Sequence, residues 1–315
     1  MKQELKIIAI VLIPILYQGC KKDGAGTSED AGRAAAVKDY NEMYLTTNVT
    51  TSELAWTGST SSCNEGSISQ SALDKCILRL NYFRKICGLS YNITFNSNWF
   101  SSNQKIALMC SANNALSHTP PTTWSCYSAE GAASANKSNL ALGYHSSNAI
   151  TGWMQDPGTG NEKAGHRRWI LFSRALQFGI GCTNNSAAMQ CIDDTHTGDP
   201  LPINSPEYVA YPPKYVPQSL VFARWSFAVL NPQSFFSGVD FSATTVKVTS
   251  PDGTSIPVNI ISRTDNGYGD QTIVWEPSGV ITNSASDLKY HVTLENVNVN
   301  GSNNTYMYEV NIIKP

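Results

Sequence analysis

The sequence of 315 residues predicts an α+β chain, with a helix-bearing first half and an all-β sandwich of immunoglobulin-like type behind it. Three observations carry that expectation. Between residues 71 and 87 the apolar side chains Leu73, Cys76, Ile77, Leu80, Phe83 and Cys87 recur at helical spacing. From residue 221 onward, short runs rich in Val, Ile and Thr alternate with turn signals. The whole is 41% hydrophobic and 15% charged, the composition of a globular protein long enough for two ordinary domains.

The chain starts with an export signal. Lys2 and Lys6 precede an apolar run over 7–16 that is too short to span a bilayer. The run ends in LYQGC (16–20), which resembles a bacterial lipoprotein signal with Cys20 as the lipidated residue, although the leucine lies one place further from the cysteine than usual. An ordinary secretory peptide cleaved nearby is the other reading, and either one exports the chain to the cell envelope, lipid-anchored or secreted. Residues 1–20 are therefore read as signal and 21–55, polar and rich in small residues, as a flexible tether. A net charge of -2 without a basic cluster argues against nucleic acid as a partner.

The first helix is expected over 71–87, with Ser71 and Asp74 as a capping box and Gly88 as its stop. Arg84, at the edge of its apolar stripe, is expected in a structural salt bridge. A second helix over roughly 97–117 brings His118 to its end, before Pro120 and Pro121, which cannot continue it. Two readings stay open for His118: a cap on the helix C-terminus, favoured by the dipole, or a functional group. Ala149, Trp153 and Met154 give a third helix its buried side, and Asp156, Pro157 and Gly158 end it. His166 follows Gly165 and opens an apolar run, placing its ring at the first turn of a short helix, a position that suits a neutral imidazole able to take a proton or bind a metal. Arg167 and Arg168 are expected to be ion-paired or exposed.

Seven cysteines besides Cys20 leave at least one thiol unpaired in an oxidising compartment. A hairpin from Phe178 to Ile192, turning at Asn184 and Asn185, sets Cys182 nearly opposite Cys191 and makes them the expected disulfide. Cys76 and Cys87 lie too far apart along one helix. Cys63 is a candidate partner for Cys126. No C-x-x-C pair exists for a zinc-cysteine site.

Six pieces, LNYFR (80–84), LSHTP (116–120), NLALG (139–143), GWM (152–154), GHRRW (165–169) and FGIG (178–181), occur in the order and at the approximate spacing of one family. Over residues 71–194 the chain resembles the CAP superfamily (cysteine-rich secretory proteins, antigen 5 and pathogenesis-related 1), in its bacterial SCP-like extracellular branch. The resemblance implies a three-layer α-β-α domain over 56–195, in which His118 faces His166 across a cleft. It also implies a site glutamate where Ser138 stands, and a second acid at Asp156. The ligand set so implied is His118, Ser138, Asp156 and His166, with the two histidines as a weak zinc site and no residue assigned to catalysis. Glu130 and Glu162 are candidate replacements for the missing carboxylate. Binding of a small molecule, lipid or envelope component is the preferred reading; a metal-dependent hydrolase acting on peptides or wall material, and a purely structural or adhesive protein, are the alternatives.

Residues 196–218 form a proline-punctuated connection in which Tyr208, Tyr211 and Tyr215 are expected to pin the chain to a neighbouring surface. The sandwich follows over 219–315, its turns marked near Pro251, Asn266 and Asn300. The stretch 265–270 lacks the spacing and closing glutamate of an EF-hand and is read as a tight hairpin.

Overall fold

The computed structural model describes residues 28–263 and 267–315. The expected export signal, the expected lipidation at Cys20 and the expected turn at Asn266 lie outside the described residues. Among the described residues no helix is long and apolar enough to cross a membrane.

The described part of the expected tether is docked. Helix α1 (Ser28–Asp39) continues into a wide turn over Tyr40–Tyr44 and a short α2 (Thr51–Leu54). Tyr40 and Tyr44 stack 5.3 Å apart and set their rings against Tyr82 and Phe83 of α3 (Gln70–Ile86). Arg79 of α3 is buried beneath this segment, its guanidinium 3.7 Å from the Tyr44 ring centre and bonded to Thr47 Oγ1, Tyr44 O and Asn48 Oδ1. At its other end α1 pairs with the second half through Arg33–Asp287 and Glu29–Lys289. Two aromatic rings one helical turn apart, set among polar neighbours, are what the tether reading overlooked.

Helix α3 starts one residue earlier than expected, because Ser69 is its cap and accepts the Ala72 N–H at 3.1 Å. Asp74 instead accepts from Gln70. Then come β1 (Thr94–Phe95), α4 (Phe100–Asn113), α5 (Ala129–Ala135), β2 (Ser138–Leu142), α6 (Ser146–Gln155), α7 (Gly165–Ile170), β3 (Gln177–Phe178), β4 (Gly181–Cys182) and β5 (Ser186–Gln190). Strands β2, β5 and β4 form an antiparallel sheet in that order. Alternate residues serve opposite faces: Leu140 and Ala188 pack with Ile106, Ala107 and Cys110 of α4, while Ala141, Ala187 and Met189 join the cluster holding Ala149, Ile150 and Trp153 of α6. The result is three layers, α-β-α. A side chain at Gly181 would fall 2.3 Å from the α4 backbone, so glycine sets how closely helix and sheet approach.

Of the two cysteine pairings considered, Cys63 with Cys126 is formed and Cys182 with Cys191 is not. Cys182 sits opposite Ala187, and Cys191 lies one residue past β5, its thiol on Lys137 O and Asn139 Oδ1. The two remain free and buried, as do Cys76, Cys87 and Cys110. The register of the hairpin, four residues tighter than the expected pairing, is the cause. Cys63 and Cys126 form the disulfide, with Cα atoms 5.0 Å apart.

In the second half, β6 (Tyr208–Tyr211), β7 (Tyr215–Pro217), β8 (Trp225–Val229), β9 (Val239–Asp240), β10 (Thr245–Thr249), β11 (Ser255–Ile256), β12 (Val258–Ser262), β13 (Thr272–Pro277), β14 (Leu288–Val299) and β15 (Ser302–Ile313) make two sheets. One runs β11-β10-β14-β15-β7 with β9 also on β14; the other runs β12-β13-β8-β6. Rings of Tyr208 and Phe227 from one sheet meet Tyr306 and Tyr308 from the other. The proline-rich connection thus supplies a strand to each sheet: Tyr211 is fully buried and bonds Leu220 O, while Tyr208 and Tyr215 are half-buried.

The halves share one continuous core, in which Leu171 and Phe172 join Val209 and Ala228. At its edge the buried Asp270 carboxylate accepts from Ser173 N and Oγ at 2.8 and 2.9 Å and pairs with Arg174 at 3.3 Å. Burial pushes this carboxyl up, and those donors oppose the shift. Asp270→Ala removes the counter-charge from an arginine with 3% side-chain exposure. The expected loss is about 3–5 kcal/mol, read as a lowered urea midpoint, with Asp270→Asn losing less because it keeps an acceptor for Ser173.

Candidate functional site

Helix α6 ends where Asp156 turns into the left-handed region at φ 51°, which swings its carboxylate back under the start of α7. That carboxylate is wholly buried and accepts three N–H groups: His166 Nδ1 at 2.7 Å, His166 N at 3.0 Å and Arg167 N at 3.4 Å. It therefore serves both as anionic cap of α7 and as the anchor of the imidazole. Asn139 of β2 donates to His166 O at 3.0 Å and ties the same turn to the sheet.

His118 lies five residues past the end of α4, because Asn114 takes a left-handed conformation and stops the helix at Asn113. The helix dipole thus has no hold on it, and the capping reading falls away. Its Nδ1 is 2.8 Å from the Ala135 carbonyl oxygen, which can only accept, so Nδ1 carries a hydrogen. The same logic holds for His166 against the Asp156 carboxylate. In the neutral form of each ring the lone pair is then on Nε2.

Both histidines border each of two adjoining hollows. One, of about 690 Å³, is the more polar of the two, with Lys137, Asn139 and Glu162 on its walls beside Trp169, Ile192 and the Tyr268 ring. The other, of about 350 Å³, is lined by Leu116, Leu140, Leu142, Tyr144 and Trp153. Leu116 and Tyr144 are 48% and 56% exposed, an apolar rim. A ligand here meets two nitrogen lone pairs between a polar and an apolar trough.

The other residues expected at the site behave differently. Ser138 borders the larger hollow, but its hydroxyl is buried and donates to Ser134 O at 2.7 Å on the α4/α5 side of the sheet. Strand alternation explains this, since Asn139 and not Ser138 faces α7. Asp156 borders the smaller hollow, its carboxylate engaged by His166 and Arg167. Glu130 pairs with Lys105 away from the hollows, whereas Glu162 borders the polar one, its carboxyl held below the usual range by the Gly160 N–H. Tyr268, from the second half, also borders it, and nothing in its local sequence signals that place. Arg84 makes its bonds to the carbonyls of Ser90, Ile170 and Phe172 rather than to an acid, and Arg167 is fully buried.

As a zinc site the donor set is thin. Among the described residues no group of three or more His, Cys, Asp or Glu side chains gathers for a metal, and the Asp156 oxygens are already engaged. Two imidazole nitrogens fit a weak contact, short of the three protein ligands of a catalytic centre.

Residues 78–192 match the family model described as CAP: Cysteine-rich secretory protein family. No curated protein matches the chain.

The thiols near the groove are inert by environment. Burial pushes Cys182 and Cys191 up to about 12, and Cys87 and Cys110 likewise. At pH 8 the native protein is expected to leave Cys76, Cys87, Cys110, Cys182 and Cys191 unmodified by iodoacetamide, with all five alkylated once guanidinium unfolds it. Peptide mapping without reductant checks the same point, and a Cys182–Cys191 peptide would overturn it.

Proposed function

With residues 78–192 belonging to the CAP superfamily, the cysteine-rich secretory fold, we propose that the chain is an exported binding protein of the cell envelope that takes a small ligand or partner in its two-histidine groove. The observation that carries this reading is the pair of imidazoles, each fixed through Nδ1 and each with Nε2 unused among the described residues, bordering the same hollows. A divalent ion such as zinc is held there weakly, the rest of its shell coming from water or ligand. The apolar trough beside the histidines suits the non-polar part of a lipid or other envelope component. Cys20 carries a lipid anchor in this reading.

A metal-dependent hydrolase acting on peptides or wall material is the second reading, favoured by the Asp156–His166 pair, which has the form of an oriented general base. It has less support, because Asp156 is buried beneath His166 and no third metal donor is at hand among the described residues. A purely structural or adhesive role would leave the histidines to packing alone.

Isothermal calorimetry tests the choice. Wild-type protein is expected to bind Zn²⁺ weakly and a His118→Ala/His166→Ala double variant not at all, at an unchanged melting temperature. Identical binding by both would refute the histidine site, and a lower melting temperature in the variant would favour the structural role. In cells, labelling with an alkyne fatty acid is expected to mark the wild type and spare Cys20→Ala.

A further inference from the structure

We propose that the β-sandwich is a working part of the groove, with Arg224 as a positioning residue for the Asp156–His166 pair; this rests on reading the groove as a binding site. Arg224 stands immediately before β8, in the second half of the chain. Its Nη1 donates to the carbonyl oxygens of Asp156 at 2.7 Å and Asn161 at 2.6 Å, its Nη2 to that of Gly158 at 3.2 Å, and its Nε pairs with Glu276 of β13 at 3.1 Å. Three main-chain acceptors on one loop converge on one guanidinium, whose planar fork presents several N–H groups at once.

The loop needs such a hold. Between α6 and α7 the backbone passes through positive φ at Asp156, Gly158, Gly160 and Ala164, so no helix or strand ladder secures it. One of the clamped carbonyls belongs to Asp156 itself, the residue whose carboxylate orients His166. Arg224 thereby fixes the main chain at the Asp156 end of the loop, and the carboxylate fixes the ring. A second contact independently brings the sandwich to the groove. A side chain at Gly165 would meet the Tyr268 ring at 3.1 Å, and that ring, 37% exposed, borders the polar hollow beside His166.

The test uses the full chain with Zn²⁺ alone as probe, and NMR of the His166 Nδ1–H proton. Arg224→Ala is expected to lose the slowly exchanging Nδ1–H signal and to bind zinc roughly 10–100-fold more weakly, the range seen when an outer-shell partner of a ligating histidine is removed. Arg224→Lys, able to reach fewer carbonyls, is expected to fall between, and Glu276→Gln, which leaves the carbonyl clamp in place, to stay near wild type. Melting curves separate misfolding from misplacement, and Arg224→Lys serves if Arg224→Ala does not fold. A folded Arg224→Ala with wild-type Nδ1–H signal and zinc affinity would overturn the proposal, as would a Glu276→Gln variant equally impaired. If the wild type binds no zinc, the binding reading fails by itself and the Nδ1–H signal still decides the role of Arg224.

Discussion

The guanidinium of Arg167 holds the molecule together at the point where its halves meet. It is fully buried, lies 4.7 Å from the Tyr211 ring centre, and donates to Met154 O and Gln155 O at the end of α6 and to Arg224 O and Ser226 Oγ of the sandwich. The last carbonyls of a helix have no partner within it, and here one side chain supplies donors to two of them. The same solution recurs in Arg79 and Arg84, both bonded to main-chain oxygens and both buried. Burial lowers the pKa of each, to about 10 for Arg84. Carbonyl oxygens thus take the place of acids around these cations, which is why no sequence neighbour betrays them.

How much of this was legible depended on the range of the interactions. The helix over α3 was readable from its apolar spacing, and the strands of the second half from their alternation and turns, because those signals lie within a few residues of one another. The boundaries were less so. Ser69 capped α3 instead of Ser71, a choice between two serines that only the chain's entry direction settles. Residues 28–55 read as a tether because their two interior-facing tyrosines find their partners in α3, some forty residues away. The proline-rich stretch read as a connection because two short strands between prolines leave little pattern to see.

At the candidate site, His166 was singled out by its place at a helix start and His118 through the resemblance, and the structure brings both to the same hollows. The part played by Asp156 followed only from coordinates, since its left-handed turn reverses the direction of its side chain. Ser138 borders the larger hollow with its hydroxyl turned away for a reason of strand parity: one place along β2 exchanges the groove face for the α4 face. Tyr268 and Arg224 were invisible, because the contact between the halves joins segments about sixty to a hundred residues apart. The pairing of Cys182 with Cys191 failed on register, a property of hydrogen bonding that spacing alone leaves open.

The covalent link from Cys63 to Cys126 reaches the loop that carries His118, eight residues before its second sulfur. Closing 63 residues in this way restricts the unfolded chain by an entropy worth ~4 kcal/mol in the loop-closure model. One rim of the histidine groove is consequently moored by a bond that only an oxidising environment maintains, while the opposite rim, at Asp156, relies on hydrogen bonds indifferent to redox state. Loss of that mooring would slacken the His118 side and leave the His166 side in place, so the groove's two imidazoles answer to different chemical surroundings.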